Sequence, residues 1–315
     1  MGSLRAALLA LAITLVAVLP AWAASCPPAP PPLPDTAALV RLDDGPHDRG
    51  FLWRISAAGH VSWLYGTVHV GSPGWLAPGP HLGAALRGSD TLALEMDPLD
   101  PAIGERLQAL LLQHAGRWPA GLLPRLQAQM ARACLPAGLE ARFPAALLLE
   151  TIGLSALRER QLHAEYGSDM LLAALAHARG LPVVSLETPD TQVRALLGGS
   201  PPSDRELAEG LADVESGHLE TVTLSWVSAW ASGDWEHMRR YADWCDCLRT
   251  AQDRREMREL VDRRNPDLAR SIDRLHRSGR RVLAAVGALH MVGPQGLVAL
   301  LQQRGYTVEL VPPAP

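Results

Sequence analysis

Two short apolar segments lying far apart in the chain each run into the same motif, Gly66-Thr67-Val68-His69 and Gly287-Ala288-Leu289-His290. The segments before them, 60–68 and 281–286, have the length and the β-branched, apolar character of buried strands. In open α/β sheets, ligands gather beyond the carboxyl ends of strands, and a glycine there lets the backbone turn or approach a neighbour closely. One such motif alone fits a structural histidine equally well. Two of them constrain the chain to a fold in which distant strands deliver their outgoing turns to a shared rim.

The remaining pattern agrees with such a fold. Residues 51–56 and 60–68 flank Ala57-Ala58-Gly59 and predict a hairpin. Residues 78–87 read as a short helix and 91–96 as a buried strand bearing Glu95 near its end; 168–179 read as an amphipathic helix closed by Gly180, and 182–187 as an apolar strand ending on Glu187. A helix over 293–304 and a strand over 306–311 close the chain, while helical spacing dominates 101–163 and 205–277. This alternation predicts an α/β fold: a central mixed sheet with flanking helices and a large helical cap or insertion, in a single domain over 37–315.

The first residues carry one early charge, Arg5, then an apolar run from 6 to 19 and Ala21-Trp22-Ala23. That order reads as a signal peptide over 1–23, too short in its apolar part to span a membrane. Export to the periplasm or beyond is therefore expected. Ala23-Ala24-Ser25-Cys26 also resembles a lipoprotein box whose usual leading leucine is replaced, which leaves a lipid anchor at Cys26 as the alternative. Residues 24–36, mostly proline and alanine, read as an extended linker.

Composition removes several chemistries. The chain contains no lysine, so P-loop, Schiff-base and Ser-x-x-Lys mechanisms are excluded. A net charge of −4 with interspersed signs gives no nucleic-acid surface. The four cysteines, Cys26, Cys134, Cys245 and Cys247, are expected as disulfides after export. A ring closed by Cys245 and Cys247 would be very tight, so each is expected to find a distant partner.

Glu95 and Glu187, near strand ends, can meet His69 and His290 on one rim. Two neutral imidazoles with one or two carboxylates suit zinc, manganese, cobalt or iron. Such a metal would acidify a water while a free carboxylate takes the proton. His81, His114, His163, His177, His218, His237 and His276 read as surface residues.

The segments Trp63-Leu64-Tyr65-Gly66-Thr67-Val68-His69-Val70-Gly71 and Val286-Gly287-Ala288-Leu289-His290-Met291-Val292-Gly293 resemble the two signature regions of the TraB/GumN family. Leu94-Glu95-Met96-Asp97, Gly167-Ser168-Asp169, the run from Leu186 to Gln192, and Arg264-Asn265 follow in that family's order. The family is similar to the Tiki metalloproteases and, more distantly, to erythromycin esterases. The resemblance implies His69, His290 and Glu95 as ligands of manganese, cobalt or zinc, with Glu95 alternatively a general base. It implies Arg264 and Asn265 as catalytic groups orienting a carbonyl or carboxylate, and Gly66, Gly287, Asp169 and Glu187 as support. The expected activity is hydrolysis of a peptide or amide bond in a peptide or small-molecule substrate. The alternatives are metal-free ester hydrolysis, or a non-catalytic protein that captures a secreted peptide or assists polysaccharide export.

Overall fold

The computed structural model describes Cys26 and residues 29–198 and 201–314; the signal-peptide reading of 1–23 lies outside the described residues. β1 (Phe51–Ala57) and β2 (His60–Thr67) form the expected hairpin. Its two turn residues, Ala58 and Gly59, both take positive φ (50° and 83°), as a two-residue turn between twisted strands requires. β3 (Thr91–Leu94), β4 (Val183–Ser185), β5 (Val282–Gly287) and β6 (Thr307–Val311) complete a six-stranded mixed sheet in the order β4-β3-β5-β2-β1-β6.

β2, β5, β3 and β4 run parallel to one another, while β1 is antiparallel to both β2 and β6. Every residue of β3 and β5 is buried, which is why both read as unbroken apolar runs rather than as alternating ones. The helix Ser168–Ala178 packs on β3 and β4, and Asn265–Arg277 packs on β5. The expected helical insertion is present. Its helices Leu123–Arg132, Ala145–Ala156 and Asp204–Glu215 enclose a second, smaller core that includes Leu126, Met130, Leu148, Ile152 and Leu211. Among the described residues no helix is long and apolar enough to cross a membrane.

The cysteines depart from expectation. Cys245 bonds Cys247, with Cα atoms 5.0 Å apart, and Cys26 bonds Cys134 across 108 residues. The tight ring closes because Asp246 between the two cysteines adopts a left-handed φ of 50°. The Cys26–Cys134 bridge and a lipid on the Cys26 sulfur exclude one another. Residues 29–35 form neither helix nor strand, and the Tyr166 hydroxyl donates to the Pro31 carbonyl at 3.0 Å.

Two histidines expected at the surface are buried. His163 pairs its backbone with Gly71, and His276 is fully enclosed. His276 follows Leu268, Ala269 and Ile272 on the apolar stripe of its helix, so the 3.6-residue repeat turns it inward. Its Nδ1 accepts from Ser62 Oγ at 2.8 Å, its Nε2 donates to the Ala57 carbonyl at 3.0 Å, and its ring stacks on His60 at 3.7 Å. His81, His114 and His177 are exposed, and His218 and His237 half-buried.

Burial, against the pull of the Ala57 carbonyl, lowers the His276 pKa from its ordinary 6.5; His60 and Arg277 add to the lowering and Asp273 opposes it. Because folding favours the neutral ring, its contribution is complete above pH 6.5 and is lost as pH falls through the lowered value. Urea midpoints compared at pH 8 and about pH 5 should therefore fall further for the native chain than for His276→Gln. An equal fall in both would refute this assignment.

Candidate functional site

The parallel pairing decides what meets at the rim. Thr67 is level with Gly287, Leu94 with Ala285, and Leu94 with Ser185. The outgoing turns of β2, β3, β4 and β5 therefore carry His69, Glu95, Glu187 and His290 to one edge of the sheet. Beyond the last ladder pair, the Glu187 amide still donates to the Glu95 carbonyl at 2.9 Å. Gly66 is needed here because a Cβ would stand only 3.0 Å from that of Ala288, in the 3-10 turn Ala288–Met291 that carries His290. The backbones of the two motifs thus touch.

Each imidazole is braced from behind. His69 Nδ1 lies 3.0 Å from Asp169 Oδ2, at the first turn of Ser168–Ala178, where the helix N-terminus favours a carboxylate. His290 Nδ1 lies 2.5 Å from Asn265 Oδ1, and Asn265 is oriented by donating from Nδ2 to the Gln295 carbonyl at 2.8 Å. Both partners accept, so both imidazoles present Nδ1–H to them. In the neutral form of each ring, Nε2 then keeps its lone pair. Both Nε2 atoms are buried and have no hydrogen-bond partner. His290 Nε2 lies 4.0 Å from Glu95 Oε1.

Glu95 is held by three donors. The Gly287 amide gives a 2.8 Å bond to Oε1, the Gln192 amide a 3.1 Å bond to Oε2, and the Arg264 guanidinium pairs with Oε2. Arg264 also pairs with Glu187 through Nε, at 2.9 Å, and through Nη2, and its Nη1 donates to the Leu260 carbonyl at 2.9 Å. It follows the π-helical turn Arg258–Asp262, a local widening of the helix that is frequent at functional sites. Arg264 and Asn265, expected to face a substrate, instead spend their polar atoms on Glu95, Glu187, Leu260, His290 and Gln295. Their position explains this: they open the helix Asn265–Arg277 directly behind the rim.

The electrostatics separate the groups. Burial opposes charge on His69, but the Asp169 carboxylate outweighs it and raises the His69 pKa. Burial, and then the Arg264 charge, push His290 down to about 3, so this ring stays neutral. Burial would favour neutral Glu95, yet Arg264, the imidazoles and the Gly287 amide hold its carboxyl well below the usual carboxylate range. Burial raises Glu187 despite its bond to Arg264, and the neighbouring Glu95 adds to the rise. Glu95 and Glu187 share one buried guanidinium, while Asp169 pairs with His69; the three carboxyl side chains are no more than 10% exposed.

Two unpartnered lone pairs beside a surplus of buried carboxyl groups are a donor set that fits a divalent transition metal. Among the described residues no group of three or more His, Cys, Asp or Glu side chains is placed to hold a metal ion. The two imidazole Nε2 atoms stand unpartnered, and Glu95 is paired with Arg264. Gln192, absent from the sequence-based site, joins it through its bond to Glu95; its signal was its place in the helix Pro189–Leu197 just after Glu187.

Removing Arg264 would leave two buried carboxyl groups without their cation. Arg264→Leu should destabilise the fold by about 3 to 5 kcal/mol. A urea midpoint unchanged from the native chain would show that the charge is not needed where it lies.

A family model described as the TraB/PrgY/gumN family matches residues 51–310, a span that includes both Gly-x-x-His turns, Glu95, Glu187 and Arg264. Comparison with curated proteins and with solved structures gives no match. With the match covering most of its length, the chain belongs to the TraB/PrgY/gumN family.

Proposed function

We propose that the chain is an exported, metal-dependent hydrolase that cleaves a peptide or amide bond. The observation that carries this reading is the pair of buried, unpartnered Nε2 atoms of His69 and His290 beside the ionised Glu95. These three residues would hold manganese, cobalt or zinc. The metal would supply Lewis acidity toward a carbonyl oxygen and toward water.

The chain's own residues divide the remaining work. Asp169 and Asn265 keep each Nδ1 engaged, so neither ring can turn its Nε2 away. Glu95, held ionised, suits a ligand better than a base, because a carboxyl so acidic accepts a proton poorly. Glu187, whose proton affinity is raised, is the better acceptor of a proton released at the rim. Arg264, bonded to both, keeps the two carboxyl groups apart in role. Export is supported by the apolar amino-terminal run and by the pairing of all four cysteines, which suits an oxidising compartment.

One observation favours a second reading. Asp169 orients His69 and leaves its Nε2 free, the arrangement of a base and its orienter in metal-free hydrolysis.

The test uses the purified chain without residues 1–23, stripped with a chelator and then resupplied with manganese, cobalt or zinc. Peptidase activity should vanish on stripping and return with metal. His69→Ala and His290→Ala should each weaken metal binding by at least about a hundredfold. Full activity in both variants would overturn the proposal, and chelator-insensitive hydrolysis that still needs His69 would establish the second reading.

A further inference from the structure

The segment after Cys26 contributes no side chain to the rim, yet it runs along the helix whose first turn carries Asp169. Near that helix's start, the Tyr166 hydroxyl lies 3.0 Å from the Pro31 carbonyl and 3.4 Å from that of Pro32. The short helix Thr36–Val40 packs against Ser168–Ala178 itself. At the far end, Arg179 Nη2 donates to the Leu42 carbonyl at 3.3 Å. The Cys26–Cys134 bridge ties the upstream end to the helical insertion. The helix is therefore strapped along its whole length.

Residues 163–169 transmit that restraint to His69. The Gly71 amide donates to the His163 carbonyl at 2.9 Å, and the Gly71 carbonyl accepts from the His163 amide at 2.8 Å. The Ser168 amide donates to the Val68 carbonyl at 2.8 Å, and the Val68 amide donates to Ser168 Oγ at 2.9 Å. Asp169 then meets His69. The two stretches lie so close that a Cβ on Gly71 would overlap the Tyr166 carbonyl, and one on Gly167 would come within 2.9 Å of the His69 carbonyl carbon. Tyr166, 3% exposed, is the only residue of this turn whose side chain hydrogen-bonds the strap among the described residues.

We propose that the strap and Tyr166 are a positioning clamp for His69. With the strap pinned, the turn at 163–169 is pressed onto 68–71 and Asp169 is kept on His69 Nδ1. Without the Tyr166 hydroxyl or the Cys26–Cys134 bridge, the turn is free to back away and His69 loses its fixed direction. The consequence for metal binding rests on the proposed role of His69; the mechanical coupling does not. Because the bridge needs two free thiols and an oxidising compartment, the clamp closes only after export, and only on a chain whose Cys26 carries no lipid.

Tyr166→Phe and Cys134→Ser, made separately, test the clamp by amide hydrogen exchange and by titration with cobalt. Exchange at the Gly71, His163 and Ser168 amides should speed up about threefold to tenfold in both variants, while the amides of β3 and β5 stay unchanged. Cobalt affinity should fall by a similar factor, with a shift in the visible bands that report ligand geometry. Unaltered exchange at those three amides in Tyr166→Phe overturns the clamp, even if Cys134→Ser fails to fold. Faster exchange in a chain that never binds cobalt keeps the clamp and removes the metal reading.

Discussion

The parallel pairing of β2 with β5 is the constraint on which the rest of the molecule depends. It places Trp63 beside Leu283 and Thr67 beside Gly287, joining the first and last quarters of the chain. Once these strands are level, their outgoing turns must leave from the same edge. β3 and β4 extend the same parallel set, and Glu95 and Glu187 leave with them. A register slip of one residue would send alternate side chains to the wrong face and dissolve the arrangement.

That geometry creates an electrostatic problem, and Arg264 answers most of it. Carboxyl groups brought under the surface must be paired or neutralised. Arg264 pairs with two of them, and burial, with the neighbouring Glu95 charge adding to it, keeps Glu187 nearer its neutral form despite that pairing. Beside them, the Nε2 atoms of the two imidazoles are buried and have no hydrogen-bond partner. The neighbouring turn at 163–169 and the strap behind it then serve to keep one of those imidazoles still.

Much of this was legible from the residues. The hairpin, the buried strands and the helices Pro80–Arg87 and Ser168–Ala178 follow the periodicity of their apolar positions within a few residues. The Gly-x-x-His turns announced themselves through the glycine, and Gly66 does stand where a side chain would press on Ala288. The failures share a cause. His276 looked polar enough for the surface, but the helical stripe carrying it packs on the sheet, where Ser62 and the Ala57 carbonyl satisfy both ring nitrogens. The Cys245–Cys247 ring looked too tight because its closure depends on a single left-handed residue, Asp246, whose conformation no spacing rule discloses. Gln192 gave no chemical signal, since an amide gains its role only from the carboxylate it reaches.

By itself, then, the amino-acid order determined which segments become strands and helices, where their turns fall, and which side chains stand at strand ends. Local periodicity and backbone preference act within a few residues, so these features can be read from neighbours in the chain. Only the tertiary structure decided that Asn265 and Asp169 brace the two imidazoles, that Arg264 is divided between Glu95 and Glu187, and that the amino-terminal strap lies against Tyr166. Each of those contacts joins residues distant in the chain. Their geometry is set by strand register and helix packing, which are properties of the whole fold.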